Sequence, residues 1–593
     1  MTSPRARVAA LVAATCLVVS ACSREVPGTR PDGGEHSYDV NADPLVNPPG
    51  LFEPYPETDP TRAGADATVY RRVDADPTTL NPIFNVPWQD HYMHILLFLN
   101  PIRRGVDLIE KFNPTVVESW EESEDHRVFT VNLRPETRWH DGEPWTAHDI
   151  VFSWKTIGDD SVPALFYKRA ALRLELVRAI DDHTVEYTHR QVLATRMRDM
   201  QFPIIPKHIF DIPEERAKDP TLRSSEYWSD RARRKIVGSG PYRFVEWHSN
   251  AQIVVERWED YPFEPPRFKR QVLKVIPDTN VALLLFKKGE LDEMSLTGQQ
   301  FATQTTDADF AAVGVKSFAP RRMFGSIGWN MDGSNPFFDD VRVRAAMSHA
   351  FDYEGHLQKS LYGVYRRSKG FLDEFHWAYN AELEATPFDL DRASVLLDEA
   401  GWDISDDDGW RYKTIDGDRV RFDFELMMVP GVPSFKQLGD RYGSDLKRIG
   451  VSMRPLFVEN AAINEYLRQH DFDAWINVVE VTADPDEWSV FFSTDGYENG
   501  YNWGAYSNAR VDELFEQART MLDREERRPL YQEIHRITYE EHANTWVYDY
   551  NLLWAFSNRL GGVEFSPSGA ILQYPGTAAW WKAEHAAPAP TGG

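Results

Sequence analysis

Phe129, Val131 and Leu133 alternate with Thr130, Asn132 and Arg134, the period of a strand with one buried face. Asp141-Gly142 then supplies a turn. Thr146 stands where it can cap a helix with Asp149 in its first turn and Ile150, Val151 and Trp154 on its apolar side. Later segments keep the helical period. Val281, Leu284 and Leu285 share one helical face, closed by Gly289. Asp339 and Asp340 precede Val343, Ala346, Met347, Ala350 and Phe351, one stripe behind an acidic N-terminus. Ala393, Leu396, Leu397 and Ala400 lead to Gly401, where a left-handed C-cap wants glycine. Asn508 stands before a further amphipathic helix through Val511, Leu514, Phe515 and Ala518.

At 593 residues the chain is too long for one core and should divide into two or three domains. A 42% hydrophobic content with 19 tryptophans is that of an ordered globular protein. The net charge of -27 argues against nucleic acid or anionic lipid as the main partner, because binding phosphate needs clustered Lys and Arg. No repeat of the kind that builds solenoids or propellers is visible.

Arg5 and Arg7 precede an apolar run from Val8 to Val19, too short to cross a bilayer of about 30 Å and read as an export signal over 1–21. Val19-Ser20-Ala21-Cys22 resembles a bacterial lipobox, in which the cysteine thiol accepts a diacylglyceryl group. Cys22 would then begin the mature chain and hold it to a membrane. Cys16 would be lost with the signal, leaving no partner for a disulfide. Residues 22–67 are rich in Pro, Gly, Asp and Thr and read as a solvated tether, and 584–593 as a frayed tail.

Six blocks occur in order from Val69 to Tyr574. Leu80-Asn81-Pro82 follows the first strand. Glu118-Ser-Trp120 leads to Trp139-His-Asp-Gly142, Thr146-Ala147 and Asp149-Ile-Val151. Gly238-Ser-Gly-Pro-Tyr-Arg-Phe244 precedes Ile253, Val255 and Arg257-Trp258, and Glu290-Leu-Asp292 closes a helix. Val341-Arg-Val-Arg-Ala continues to Asp352 and Tyr353, and Leu446-Lys-Arg-Ile-Gly450-Val451 makes a helix-to-strand step. This series resembles the family 5 solute-binding proteins, which capture peptides and other solutes for an ABC importer. The resemblance implies an α/β, two-lobe periplasmic-binding-protein type II-like fold with an additional inserted subdomain (cluster C type). It places lobe one at 68–100, 200–310 and 556–583, the insert at 101–199 and lobe two at 311–555. Capture would proceed by closure of the lobes on the solute, without covalent chemistry and without a cofactor.

The resemblance also indicates where a solute would be held. Asn85, Trp88 and Gln89 follow the first strand, and Tyr548 and Tyr550 lie near the hinge. Asn477, Glu480 and Trp503 come from the segments Trp475–Pro485 and Asn499–Trp503. Amides can bind a peptide backbone or sugar hydroxyls, and aromatic rings give wide contact at low entropic cost. Packing in the core or hinge is the competing reading for each aromatic. Peptide-binding members often carry an aspartate four residues before the proline that is Pro485 here, to pair with the ligand's α-ammonium. Val481 occupies that position, and Glu480 is one residue away.

GxSxG, HExxH, a Gly-rich phosphate loop and CxxC are all absent from the sequence. His140, Asp141, His148 and Asp149 could interest a metal, but the strand, turn and helix start already account for them. The expectation is therefore a monomeric, lipid-anchored, extracytoplasmic binding protein that is not an enzyme and holds no metal. Its partners would be a peptide or another small polar solute, the ABC permease subunits, and a membrane through Cys22. Two alternatives stay open: an exported carbohydrate-active enzyme using paired carboxylates, and a lipoprotein that senses solute.

Overall fold

The computed structural model describes residues 46–47, 67–77, 79–84, 88–104, 109–162, 164–211, 236–480, 484–563 and 580–583. The signal segment, Cys22, Asn85, Val481, the tail and most of the expected tether lie outside them. Val46–Asn47, within the expected tether, pairs in parallel with Lys316 and Ser317 on the folded body.

Twelve strands share the main sheet. Its middle is formed by two long antiparallel strands, Gly314–Trp329 and Asn544–Ser557, here called the first and second hinge strands. On the free edge of the first hinge strand the sheet continues through Ala474–Glu480, Asp423–Met428 and Ser452–Phe457. On the far edge of the second it continues through Glu293–Ser295, Thr68–Val73, Arg270–Val275, Gln252–Arg257 and Tyr242–His248. Each half has cores of its own: Val69, Leu97, Tyr242 and Phe556 on one side, Trp329, Phe338, Met347, Phe422 and Leu446 on the other. Two strands are thus the shared covalent frame of two lobes.

A separate antiparallel sheet runs Val117–Glu122, Val128–Leu133, Thr184–His189, Leu174–Ala179. Phe129, Val131 and Leu133 bury their alternating face as the sequence predicts. Helix Ala147–Gly158 packs on this sheet, and its capping acid is Asp149, which accepts the Thr146 N–H at 2.8 Å and the Lys207 N–H at 2.8 Å. Buried Trp139, Trp145 and Ile150 complete the core. The His140 ring is spent on backbone, with Nε2 2.9 Å from the Gly240 carbonyl and Nδ1 accepting the Gly238 N–H at 3.1 Å.

Helix Val341–His349 buries Val343, Ala346 and Met347, and Ala350 and Phe351 extend that stripe past its end. Asp340 caps it by accepting the Arg342 N–H at 2.9 Å. Helix Thr279–Lys287 departs from its expected face: Ala282, Leu283 and Phe286 are buried, while Val281 and Leu284 are 48% and 53% exposed. Its apolar residues encircle much of the helix, so neighbours rather than periodicity choose the buried side. Among the described residues no helix is long and apolar enough to cross a membrane.

Candidate functional site

The ladder between the hinge strands shifts register at two neighbouring places, Pro320/Phe324 and Gly325/Ser326, and the first is the wider break. Gly314 to Pro320 pair with Ser557 to Asn551, and pairing resumes only at Phe324 opposite Asp549. Pro320 has no N–H to continue the ladder, and the strand bulges through Arg321, Arg322 and Met323. Two other strands close on this break. Ala474–Glu480 ends there with Glu480 opposite Met323. Arg366–Arg367 pairs with Asp549 and Tyr548 on the second hinge strand.

The break gathers Arg321, Glu480, Tyr548, Tyr550 and Tyr365. Gly325 makes room for one of them: a Cβ there would collide with the Tyr548 ring. The Tyr548 and Tyr550 hydroxyls are 3.3 Å apart, and the Tyr365 ring centroid lies 4.9 Å from Tyr550 and 5.7 Å from Tyr548. Burial pushes all three phenols up, although the Arg321 charge pulls Tyr365 and Tyr550 the other way. His356, behind Tyr548, is pushed down to about 4 by burial and by the Arg441 charge. The Arg321 side chain is 16% exposed and has one partner of opposite charge, Glu480 at 3.7 Å. Among the described residues it makes no hydrogen bond. Glu480 keeps 48% of its side chain exposed.

Asp549 alternates with the two tyrosines and turns to the opposite face of its strand. That face holds a charged cluster. Arg322 and Asp373 are both buried and 3.9 Å apart, and Arg366 bonds to Asn551 at 3.2 Å and pairs with Glu374. Burial pushes Asp549 up to about 8; Arg366 opposes this, whereas Asp373 and Glu374 reinforce it.

Asn477 and Trp503 belong to a second place, a pocket of about 20 Å³ walled by Phe324, Trp475, Trp488 and Phe491. That volume admits about one water molecule and no side chain. The buried indole N–H groups of Trp475 and Trp488 have no hydrogen-bond partner among the described residues. Gly328 sets the wall, since a Cβ there would meet the Trp475 ring.

A third feature joins the separate sheet to the second half of the chain. The Ala194 N–H donates to the Arg519 carbonyl at 2.9 Å, and Arg198 pairs with Glu487. Asp199 beside them is pushed up to about 6, mainly by burial, with Asp486 adding repulsion and Arg173, 3.3 Å away, opposing it. Asp484 is held by a fork from Arg527 at 2.6 and 2.8 Å.

The structure brings Glu480, Tyr548 and Tyr550 together and sets Asn477 and Trp503 apart from them. Trp88 and Gln89 begin the helix Trp88–Leu97. Arg321 and Tyr365 were missed by sequence reasoning. A signal existed for the first, because Pro320-Arg321-Arg322 interrupts an otherwise apolar strand.

Residues 111–502 match the family described as "Bacterial extracellular solute-binding proteins, family 5 Middle". The chain is 26% identical over 492 residues to the oligopeptide-binding protein AppA of Bacillus subtilis, covering 80% of this chain and 85% of that one. It is 24% identical over 480 residues to heme-binding protein A of Haemophilus influenzae, covering 77% and 81%. The structure of Bacillus subtilis AppA with a nonapeptide superposes with a TM-score of 0.71 at 23% identity, covering 88% of this chain and 100% of that one. The shared fold is the type II binding-protein fold expected from the sequence.

Proposed function

Because the chain belongs to the bacterial extracellular solute-binding proteins of family 5, we propose that it is the extracytoplasmic capture component of an ABC importer for peptides or peptide-sized polar solutes. The observation that carries this reading is the break in the hinge ladder, which collects Glu480, Tyr548 and Tyr550 near a partly exposed arginine at the waist between two half-sheets. A solute bound there touches both lobes only when they close, and that differential contact drives closure. Glu480 faces the incoming solute at the rim of the break, and the tyrosine rings supply flat apolar contact. Asn477 and Trp503, in a pocket of lobe two, are further contacts for the solute. Asn85, Trp88 and Gln89 form the facing wall from lobe one, with boundaries at 68–100, 200–310 and 556–583. Residues 101–199 form the insert and 311–555 lobe two. Lipid on Cys22 and the tether to residue 67 keep the monomeric body at the membrane beside its permease. The family consists of solute-binding proteins, so the hydrolase reading of the acids and tryptophans is not carried forward.

The test is small-angle scattering of the chain from residue 23 onward with and without a mixed pentapeptide library. The expected result is one-to-one binding and a smaller radius of gyration. Binding without compaction would overturn capture by closure, and release of cleaved product would overturn the non-enzymatic reading. Anchoring is read separately: fatty-acid label should enter the full chain and be lost in Cys22→Ser.

A further inference from the structure

Taking a guanidinium out of water is costly and is ordinarily offset by hydrogen bonds to most of its five N–H donors. Three other arginines of this chain follow that rule. Arg344 donates to the carbonyls of Phe338, Asp339 and Glu541, and Arg411 to those of Trp402, Ile449 and Ser394 and to Asp398. Arg527 forks onto Asp484 and reaches the Tyr531 hydroxyl at 2.9 Å. Arg321 keeps 16% of its side chain exposed, with its guanidinium reachable from solvent, and among the described residues its charge partner is Glu480 at 3.7 Å, beyond hydrogen-bond reach. Among the described residues it is not stacked on a ring, although its charge acts on Tyr365 and Tyr550. The donors in this corner outnumber the acceptors: Tyr365 makes no hydrogen bond among the described residues, Tyr548 and Tyr550 are 3.3 Å apart through their hydroxyls, and Glu480 is half in solvent.

Resting on the reading that the hinge holds the solute, we infer that Arg321 anchors a carboxylate of the captured ligand, with the Tyr365 and Tyr550 hydroxyls as its flanking donors. A planar two-oxygen anion matches the guanidinium fork, whereas a neutral amide offers one acceptor and no charge. Glu480 competes with the ligand for Arg321 and is displaced toward solvent when the carboxylate enters. Val481, at the position where peptide-binding relatives often carry an aspartate for the α-ammonium, leaves this chain without an acid there. The acidic end therefore orients the solute. The same chemistry can come from a peptide's C-terminus or from an acidic side chain.

The experiment compares three mixed pentapeptide libraries by calorimetry: neutral residues with a free C-terminal acid, the same library as C-terminal amides, and amides containing Asp and Glu. The wild-type chain is expected to bind the free acid at least tenfold more tightly than the neutral amide. Arg321→Met should lose that preference, binding both forms alike and weakly, while Arg321→Lys keeps part of it. Glu480→Gln removes the competitor and should tighten free-acid binding. Tight binding of the acidic amides assigns the carboxylate to a side chain and supports the role of Arg321 equally. Wild-type affinity equal for acid and neutral amide, or a preference that survives in Arg321→Met with unchanged circular dichroism, overturns the assignment while leaving peptide capture intact. No binding of any library by the wild type overturns the peptide reading itself, and this inference with it.

Discussion

Arg411 is fully enclosed and Arg321 is partly exposed, and the two arginines do opposite things. Arg411 opens the strand Arg411–Ile415 and is fully enclosed, at 0% side-chain exposure. Its Nε donates to the Ile449 carbonyl at 2.7 Å, its Nη atoms reach Trp402, Asp398 and Ser394, and its own N–H donates to the Gly450 carbonyl at 2.7 Å. It ties the turn after helix Pro433–Arg448 to the end of helix Leu390–Glu399. Arg321 keeps 16% of its side chain exposed and, among the described residues, makes no hydrogen bond. Burial with every donor engaged is architecture. A partly shielded guanidinium whose donors meet no protein acceptor is free to take the oxygens of a ligand.

Replacing Arg411 should break this contrast most visibly. Arg411→Met strands the carbonyls of Trp402 and Ile449 and should cost about 3 to 5 kcal/mol, a fall of roughly ten degrees in melting temperature by calorimetry. Ligand affinity of the folded fraction should hardly change. A melting point within a degree of wild type would show that enclosed hydrogen bonds are not what distinguishes the two arginines.

Asp549 sharpens the hinge side of the comparison. Its proton is held to about 8 in the folded chain, against an ordinary carboxyl value of 3.8. The native state thus binds more protons than the unfolded chain between those values, so this group's contribution to stability falls as pH rises from about 4 to about 8. Denaturant midpoints across that range should decline in wild type and decline less in Asp549→Asn. Identical slopes would remove Asp549 from the list of hinge groups under strain.

The smallest expected change in stability belongs to Arg321→Met, which should leave the unliganded chain within about 1 kcal/mol of wild type or slightly more stable. A loss as large as that of Arg411→Met would make Arg321 structural and would end the comparison.

The legible parts of the chain were those governed by near neighbours. Phe129, Val131 and Leu133 announced their strand, and Asp340 and Asn508 announced their caps, each accepting a backbone N–H two residues on at 2.9 Å. Gly401, at φ +81°, ends its helix as read. Helix Thr279–Lys287 was legible as a helix but not in its orientation, because apolar residues on both sides left the choice to packing. For the site, the structure brings Glu480, Tyr548 and Tyr550 together, and their meeting with Arg321 and Tyr365 was invisible in the sequence. Asn477 and Trp503 were grouped with them in sequence and are separated in space into a pocket of their own.

The sequence by itself determined the family, the α/β character and the local elements, because periodicity, caps and turn residues act over a few positions of chain. The tertiary structure alone decided what each charged residue near the hinge is for. Arg366 meets Asn551 across 185 residues, and Glu480 reaches Arg321 only through a strand pairing that runs opposite Met323. Whether a buried charge is satisfied depends on partners brought from such distances. No local pattern records that sum, and it is the sum that separates Arg411 from Arg321.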